Sequence, residues 1–351
     1  MLKDITIQPD ITIRQAMKAL DKTAEKCLLV VDKSKKLLGT LTDGDLRRSI
    51  LAGVKFTDSI FNNYNNEPTL LIRGEFKPNV AEALLREQKL DLIPIVDNNR
   101  VVVDFVTWTG ISGGNKPTML LEHVPVVIMA GGKGTRMEPF TKILPKPLVP
   151  IHDKPIIEHI IERFVQVGCS KYYLTINYKG KILKAYFEEL QPDYGVTFVE
   201  EQEPLGTAGS LRYLNGKFNS PFFVTNCDII LKIDYTSLYE FHVSGDYDVT
   251  LVASTKEYTI PYGTCTLNGD GHLSHIDEKP KYNFLINTGL YVINPDMLKM
   301  IPENTFYHIT HLIEDAKNAE KKVGVFPVDD DTWIDIGQWA EYRSALEKMA
   351  L

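Results

Sequence analysis

The chain has 351 residues, 44% hydrophobic and 24% charged, a globular balance that excludes a disordered or fibrous protein. At about 100–200 residues per domain, two or three domains are expected. The net charge of −7 lacks the basic excess of a nucleic-acid binder, and no run reaches the roughly 18 apolar residues of a membrane helix.

The N-terminus, Met1-Leu2-Lys3-Asp4, has no apolar signal-peptide core. Cys27, Cys169, Cys227 and Cys265 form no CxxC pair, so the sequence suggests neither a zinc knuckle nor a disulfide framework. A soluble protein of a reducing cytoplasm is expected.

The first third repeats itself with an offset of 65 positions. Ala81, Leu85, Ile95, Val96, Asp97, Arg100 and Thr107 fall on Ala16, Leu20, Val30, Val31, Asp32, Lys35 and Thr42. Helical apolar spacing runs from Ile13 to Leu20 and from Val80 to Leu85. Cys27–Val31 and Leu92–Val96 are short apolar strands. Asp32-Lys33-Ser34-Lys35 and Asp97-Asn98-Asn99-Arg100 are turn sequences. One copy alone would bury too little apolar surface, so the two are expected to pack together.

Ser112-Gly113-Gly114-Asn115-Lys116-Pro117 breaks this pattern as a linker does. The expected organisation is a repeated module over 1–115, a linker over 116–122 and a second domain over 123–351. The second domain opens on Val124–Ala130, a continuous apolar run suited to a buried parallel strand. A helix is predicted through Pro155–Val167, capped by Asp153 and closed by Gly168. Strand Lys171–Ile176, helix Lys181–Leu190, and strands Val196–Glu200 and Phe222–Thr225 continue the alternation. Strands dominate from Val249 to Ile293. The pattern predicts an α/β domain with a parallel-centred mixed sheet.

Directly after the first strand comes Met129-Ala130-Gly131-Gly132-Lys133-Gly134-Thr135-Arg136. Such glycines let backbone N–H groups approach anionic oxygens. The spacing is neither the P-loop nor the GxGxxG fingerprint, and Pro139, Pro145, Pro147 and Pro150 follow. A glycine turn alone fits a tight strand-to-loop connection equally well.

The full run GGKGTRM–EPFTKILPKPLVP resembles the signature of sugar-phosphate nucleotidyltransferases. The resemblance implies a Rossmann-like, GT-A-like fold and the joining of a sugar 1-phosphate to a nucleoside triphosphate, with release of pyrophosphate. It implies that Ala130, Gly131, Gly132, Gly134 and Thr135 wrap the nucleotide, while Arg136 and Lys146 act as the catalytic cations. Lys133 is read either as a contact for the leaving pyrophosphate or as a solvated loop residue. Further segments follow in family order. Glu201 and the Pro204-Leu205-Gly206-Thr207-Ala208-Gly209 segment resemble the base-recognition region, with Glu201, Gly206 and Thr207 near base or ribose. Asn226-Cys227-Asp228 and Trp333-Ile334-Asp335-Ile336-Gly337 resemble segments that supply the Mg²⁺ carboxylates, Asp228 and Asp335. Glu278-Lys279-Pro280 and Asn287-Thr288-Gly289 resemble the sugar-phosphate segments, implying Glu278, Lys279, Asn287 and Gly289 as contacts.

A phosphomonoester has a second pKa of about 6, so the attacking sugar phosphate is largely dianionic at neutral pH and needs no general base. The task is electrostatic: align two anions and offset their repulsion. Two carboxylates with phosphate oxygens suit Mg²⁺. The base-recognition segment looks more like purine-using than pyrimidine-using branches, and Glu201 can accept from a guanine edge, so GTP is expected. His308 and His311 have HxxH spacing but no third ligand nearby, and are read as a helix flank.

Gly39-Thr40-Leu41-Thr42-Asp43-Gly44-Asp45 resembles the closing segment of a cystathionine-β-synthase (CBS) domain, which makes the repeat a CBS pair, or Bateman module. The resemblance implies Thr42 and Asp45 as ribose ligands for an adenosine nucleotide. In the second copy Thr107 is kept but Gly110 replaces the Asp. A packing or dimerisation module without ligand is the alternative, and a homo-oligomer is expected.

The CBS-plus-transferase architecture resembles glucosamine-1-phosphate guanylyltransferases of legionaminic acid biosynthesis, implying GTP and a hexosamine 1-phosphate as substrates and GDP-glucosamine as product. The competing readings are a mannose- or glucose-1-phosphate nucleotidyltransferase, a non-catalytic adenylate sensor, and a structural CBS scaffold.

Overall fold

The computed structural model describes residues 5–23, 26–76, 78–88, 90–107 and 121–349. The 112–117 linker and Gly110 lie outside the described residues. The chain divides into two compact units, Met1–Thr118 and Met119–Leu351.

In the first unit, β1 (Thr6–Ile7), α1 (Ile13–Thr23), β2 (Cys27–Val31), β3 (Leu37–Thr42) and α2 (Asp43–Leu51) form one repeat. The described part of the other is β4 (Leu71–Ile72), α3 (Pro78–Glu87), β5 (Leu92–Val96) and β6 (Val102–Thr107). The 65-residue offset holds at the level of hydrogen-bond register. Cys27 opposes Thr42 as Leu92 opposes Thr107, and the irregularity at Val30/Val31 returns at Ile95/Val96. The turn residues Lys35 and Arg100 both take left-handed backbone, φ 62° and 67°. The copies dock through these turns: Leu37 N donates to Arg100 O at 2.9 Å and Val102 N to Lys35 O at 3.0 Å. Leu92, Val96 and Val102 of the second repeat join the first repeat's core, which gives each copy the burial it lacks alone.

The second unit is built on a seven-stranded mixed sheet. Its first half comprises β7 (Val126–Met129), β8 (Pro150–Ile151), β9 (Lys154–Pro155), α4 (Ile156–Val165), β10 (Lys171–Ile176), α5 (Gly180–Leu190), β11 (Gly195–Glu200) and β12 (Phe222–Asn226). Then come β13 (Ile229–Leu231), α6 (Tyr235–Ser244), β14 (Val249–Thr259), β15 (Thr264–Leu267), β16 (Leu273–Asp277), β17 (Lys281–Ile293), α7 (Ile309–Asn318), β18 (Val323–Val328), β19 (Trp333–Asp335) and α8 (Trp339–Lys348). The strand order is β11-β10-β7-β12-β17-β14-β18. β7 pairs in parallel with both β10 and β12, whereas β17 runs antiparallel to β12 and β14.

Val126, Val127 and Ile128 are fully buried, as a central strand covered on both faces requires. Packed against the sheet, α4 buries Ile156, Ile157, Ile160, Ile161 and Phe164 along one stripe. Gly168, at φ 94°, follows α4, and Cys169 N returns to Phe164 O at 3.0 Å, a glycine-terminated helix end as predicted. The other end differs from expectation. Pro155 occupies the N-cap without a side-chain bond, and Asp153 lies in the turn between β8 and β9. The paired Pro150-Ile151 and Lys154-Pro155 backbones leave no residue free to enter the helix earlier.

The chain leaves β7 toward β10 on one side and later returns to β12 on the other. Open α/β sheets bind ligands at such a switch point, beyond the carboxyl ends of the strands. The glycine-rich segment follows β7, and Asp228 lies just beyond β12.

Candidate active site

Asp228 and Asp335 are brought together by a two-stranded ribbon. β13 and β19 run antiparallel, with Ile229 opposite Asp335 and Leu231 opposite Trp333, and Ile336 N donates to Asp228 O at 2.8 Å. A Cβ on Gly337 would lie 2.9 Å from Asp335 Oδ1 and 3.7 Å from both Asp228 Oδ2 and Arg136 Nη2. Two acids and one predicted cation therefore converge over a residue that must stay small. Gly337 N donates to Asp335 Oδ1 at 2.7 Å.

Lys146 completes the cluster. It is only 7% exposed, and its Nζ lies 2.5 Å from Asp228 Oδ2. A 3₁₀ turn, Lys146–Leu148, carries it at the end of the proline-rich loop. Asp335's carboxyl is raised above the ordinary range, first by burial and further by Asp228 and Glu341, while Gly337's N–H and Lys146 act in the opposite direction.

A cleft of about 240 Å³ opens here, lined by Arg136, Asn226, Asp228, Ile229, Asn287, Thr288, Gly289, Tyr291, Trp333 and Asp335. Asn287 Nδ2 donates to Tyr291 Oη at 2.8 Å, and Gly289 N donates to Asn287 Oδ1 at 3.1 Å. At φ 89°, Gly289 leaves no room for a side chain against Asn226. Asn226, Tyr291 and Trp333 were not singled out as site residues in the sequence. The Asn226-Cys227-Asp228 triplet and the tryptophan two residues before Asp335 were the signals available.

The predicted nucleotide residues fall into two groups. Gly131 faces the Glu201 carboxylate: a Cβ there would sit 2.9 Å from Oε1. Glu201 is 8% exposed, held just beyond β11 by Glu201 N to Ile176 O at 2.9 Å and Asn177 Nδ2 to Glu201 O at 2.9 Å. Ala130 is buried, with its N–H on Thr175 O. A Cβ on Gly132 would meet nothing within 4 Å. Gly134, at φ 67°, turns the chain into the Thr135–Met137 3₁₀ turn that carries Arg136.

Gly206 and Thr207 are instead packed against the start of α7. A Cβ on Gly206 would lie 2.7 Å from Tyr307 O, and Thr207 Oγ1 accepts from Ile309 N at 3.0 Å. His308 stands at the N-cap of that helix and its N–H donates to His311 Nδ1 at 3.3 Å, matching the helix-flank reading.

Glu278 and Lys279 lie outside the cleft. Both are exposed and follow β16, beside the Thr259–Lys281 pair at the outer end of the β14–β17 ladder, whereas Asn287 pairs with Ala253 in mid-ladder, six residues along each strand from that pair.

The Asp228–Asp335 pair suits a hard divalent cation: two half-buried carboxylates, one with a raised pKa, beside an open cleft. Among the described residues, the group of three acids close enough to share one ion is Asp329, Asp330 and Asp331. There Asp329 Oδ1 accepts from Asp331 N at 3.0 Å, the ordinary chemistry of a turn.

In the first unit, Thr42 caps α2. Asp45 Oδ2 accepts from Thr42 N at 2.8 Å and from Thr42 Oγ1 at 2.6 Å, and Asp45 N donates back to Thr42 Oγ1 at 3.2 Å. Arg48 Nη2 holds the other Asp45 oxygen at 2.6 Å. The spacing that resembles a ribose motif is thus also a capping box.

The nucleotidyl transferase family model matches residues 125–350. The chain belongs to that family. A CBS domain model matches residues 1–52. Over 233 residues the chain is 35% identical to the mannose-1-phosphate guanyltransferase of Pichia angusta, covering 63% of this chain and 62% of that one. The Hypocrea jecorina enzyme of the same name is 36% identical over 229 residues, 62% of each chain. The chain thus spans less than two thirds of the length of these curated relatives. Among solved structures, HddC from Yersinia pseudotuberculosis matches with a TM-score of 0.52 and 27% identity, over 65% of this chain and 100% of that one. A second HddC structure, complexed with GMP-PN, matches with a TM-score of 0.51 and 26% identity over the same shares. The architecture is therefore a CBS domain followed by a nucleotidyltransferase domain with a mixed sheet, in a sugar-phosphate nucleotidyltransferase family with guanyltransferase homologues. Among the described residues, no helix is long and apolar enough to cross a membrane.

Proposed function

We propose that the chain transfers a guanylyl group from GTP to a hexose 1-phosphate, giving a GDP-sugar and pyrophosphate. The observation that supports this most is the convergence of Arg136, Lys146, Asp228 and Asp335 on one cleft at the sheet's switch point. A phosphate oxygen of the sugar 1-phosphate forms the new bond to the α-phosphorus, and the α–β bridge breaks to release pyrophosphate. Asp228 and Asp335 are the residues that would hold Mg²⁺, which when bound supplies charge neutralisation to the phosphates. Arg136 and Lys146 offset the charge that accumulates around phosphorus. Glu201, held against Gly131, accepts from the base's donor edge.

The relatives' names favour mannose 1-phosphate as the acceptor. Glucosamine 1-phosphate, implied by the resemblance of the CBS-fused architecture, is the second reading, and a place in legionaminic acid supply depends on it. An adenosine nucleotide at Thr42 and Asp45, a homo-oligomeric state and a cytoplasmic location complete the proposal. The test is a grid of nucleoside triphosphates against sugar 1-phosphates with Mg²⁺, read as nucleotide-sugar formation. GTP with mannose 1-phosphate is the expected pair. GTP with glucosamine 1-phosphate alone would replace the first reading by the second. Product from no pair would remove the activity. A thermal-shift series with AMP, ADP and ATP on the full chain reads the CBS site, and no shift from any of them overturns that part.

A further inference from the structure

This inference rests on the proposed guanylyl transfer and concerns how its two phosphate cations, Arg136 and Lys146, are held in place. Asn177-Tyr178-Lys179 joins β10 to α5, at the carboxyl end of the parallel strands. Each of the three residues reaches a different segment of the nucleotide side. Asn177 Nδ2 donates to Glu201 O at 2.9 Å, Tyr178 N donates to Gly131 O at 3.5 Å, and Lys179 Nζ donates to Thr141 O at 3.0 Å.

Lysine is a poor local choice at position 179. It is the N-cap of α5, where a cation opposes the helix dipole, and it takes left-handed backbone, φ 56°. Glycine or asparagine would meet both demands at lower cost. A residue that breaks two local rules points to a contact made by its side chain elsewhere in the fold.

That contact is the Thr141 carbonyl. Thr141 lies in the 3₁₀ turn Phe140–Lys142, in the middle of the proline-rich loop. Leu144 N goes back to Phe140 O, and Pro145 has no N–H, so neither serves the Thr141 carbonyl. The Lys179 ammonium supplies the donor. Thr141 itself is 2% exposed, and its Oγ1 donates to Gly134 O at 2.9 Å. A Cβ on Gly134 would lie 2.9 Å from the Thr141 methyl and 3.1 Å from Lys146 Cβ, so both side chains close over this glycine. Arg136 follows two residues later, in the turn that Gly134 opens. The tether from Lys179 thus fixes the middle of a loop that carries Arg136 on one side and Lys146 on the other.

We propose that Lys179 is a positioning residue for guanylyl transfer: it holds the Thr141 turn against Gly134 and so keeps Arg136 and Lys146 aligned on the phosphates. The experiment is steady-state kinetics of the full chain, with GTP and mannose 1-phosphate (or whichever sugar 1-phosphate the grid selects) varied separately. The set is wild type, Lys179→Met, Lys179→Gly, Lys179→Arg, Thr141→Val and Lys179→Met/Thr141→Val, each with its unfolding midpoint. A misplacement of about 1 Å costs up to about a hundredfold in rate, so Lys179→Met should lower kcat about tenfold and leave both KM values within about threefold. Lys179→Gly relieves the left-handed backbone and should still lose as much kcat as Lys179→Met. It also keeps the proposal testable should Lys179→Met fail to fold. Lys179→Arg, which keeps a charged donor, should recover most of the loss. The double variant should be no slower than the slower single one, because both break one tether. The assignment is overturned by a kcat within twofold of wild type in Lys179→Met, by wild-type kcat in Lys179→Gly, by no recovery in Lys179→Arg, or by losses that multiply in the double variant. A tenfold rise in GTP KM at unchanged kcat also overturns it, since the ammonium would then act on the triphosphate directly. Failure of the wild-type enzyme to make any nucleotide sugar overturns the guanylyl-transfer reading itself, which keeps the two failures apart.

Discussion

Replacing Lys146 by Met should cost stability as well as activity, and the size of the loss follows from the burial of its partner. Lys146 and Asp228 lie 2.5 Å apart with side-chain exposures of 8% and 16%. Removing one member of a buried pair costs about 3–5 kcal/mol, because the other charge is left without compensation. The residual exposure of Asp228 places the expected loss near the low end, about 3 kcal/mol. For a unit of this size that corresponds to a fall in melting temperature of about 6–12 °C. Lys146→Met/Asp228→Asn should recover more than half of it at neutral pH. Urea unfolding followed by tryptophan fluorescence is a suitable assay, since Trp333 and Trp339 both belong to this unit. If Lys146→Met unfolds where wild type does, or if the double variant is no better than the single one, the two charges are not coupled and the account of the cluster is wrong.

Asp335 should show the opposite trade. Its folded pKa is raised, so its contribution to stability is greatest at acid pH and is lost as pH rises through that value. Asp335→Asn should therefore raise the unfolding midpoint at neutral pH while abolishing turnover; a lower midpoint would contradict this. Gly131→Ala places a methyl 2.9 Å from Glu201 Oε1 and should raise the GTP KM about tenfold without changing the acceptor KM, measured by initial rates. Trp339→Phe removes the 2.7 Å bond from Nε1 to Glu138 O, which with Phe140 packing ties α8 to the proline-rich loop. Its kcat should fall several-fold through misplacement of Arg136 and Lys146, and a kcat equal to wild type would show that the tether does not position them.

Much of this fold was legible because its signals are periodic or local. The 65-residue repeat was visible in apolar positions and turn chemistry, and the matching ladders and left-handed Lys35 and Arg100 follow from that chemistry. The buried β7 strand and the glycine stop at Gly168 were equally local. Asp153 misled because capping preference competes with the β8–β9 pairing, which is not visible from the helix sequence. The two candidate metal acids are joined by the β13–β19 ribbon, Asp228 just before β13 and Asp335 at the end of β19. Thr207 has the right spacing, but its hydroxyl is used by the α7 backbone, a contact made 102 positions away.

The central claim is tested most directly by incubating the purified chain with GTP, Mg²⁺ and mannose 1-phosphate, and quantifying GDP-mannose and pyrophosphate together. The account predicts equal amounts of both from wild type and neither from Asp228→Ala. Pyrophosphate without the sugar nucleotide, or undiminished product from Asp228→Ala, would contradict it.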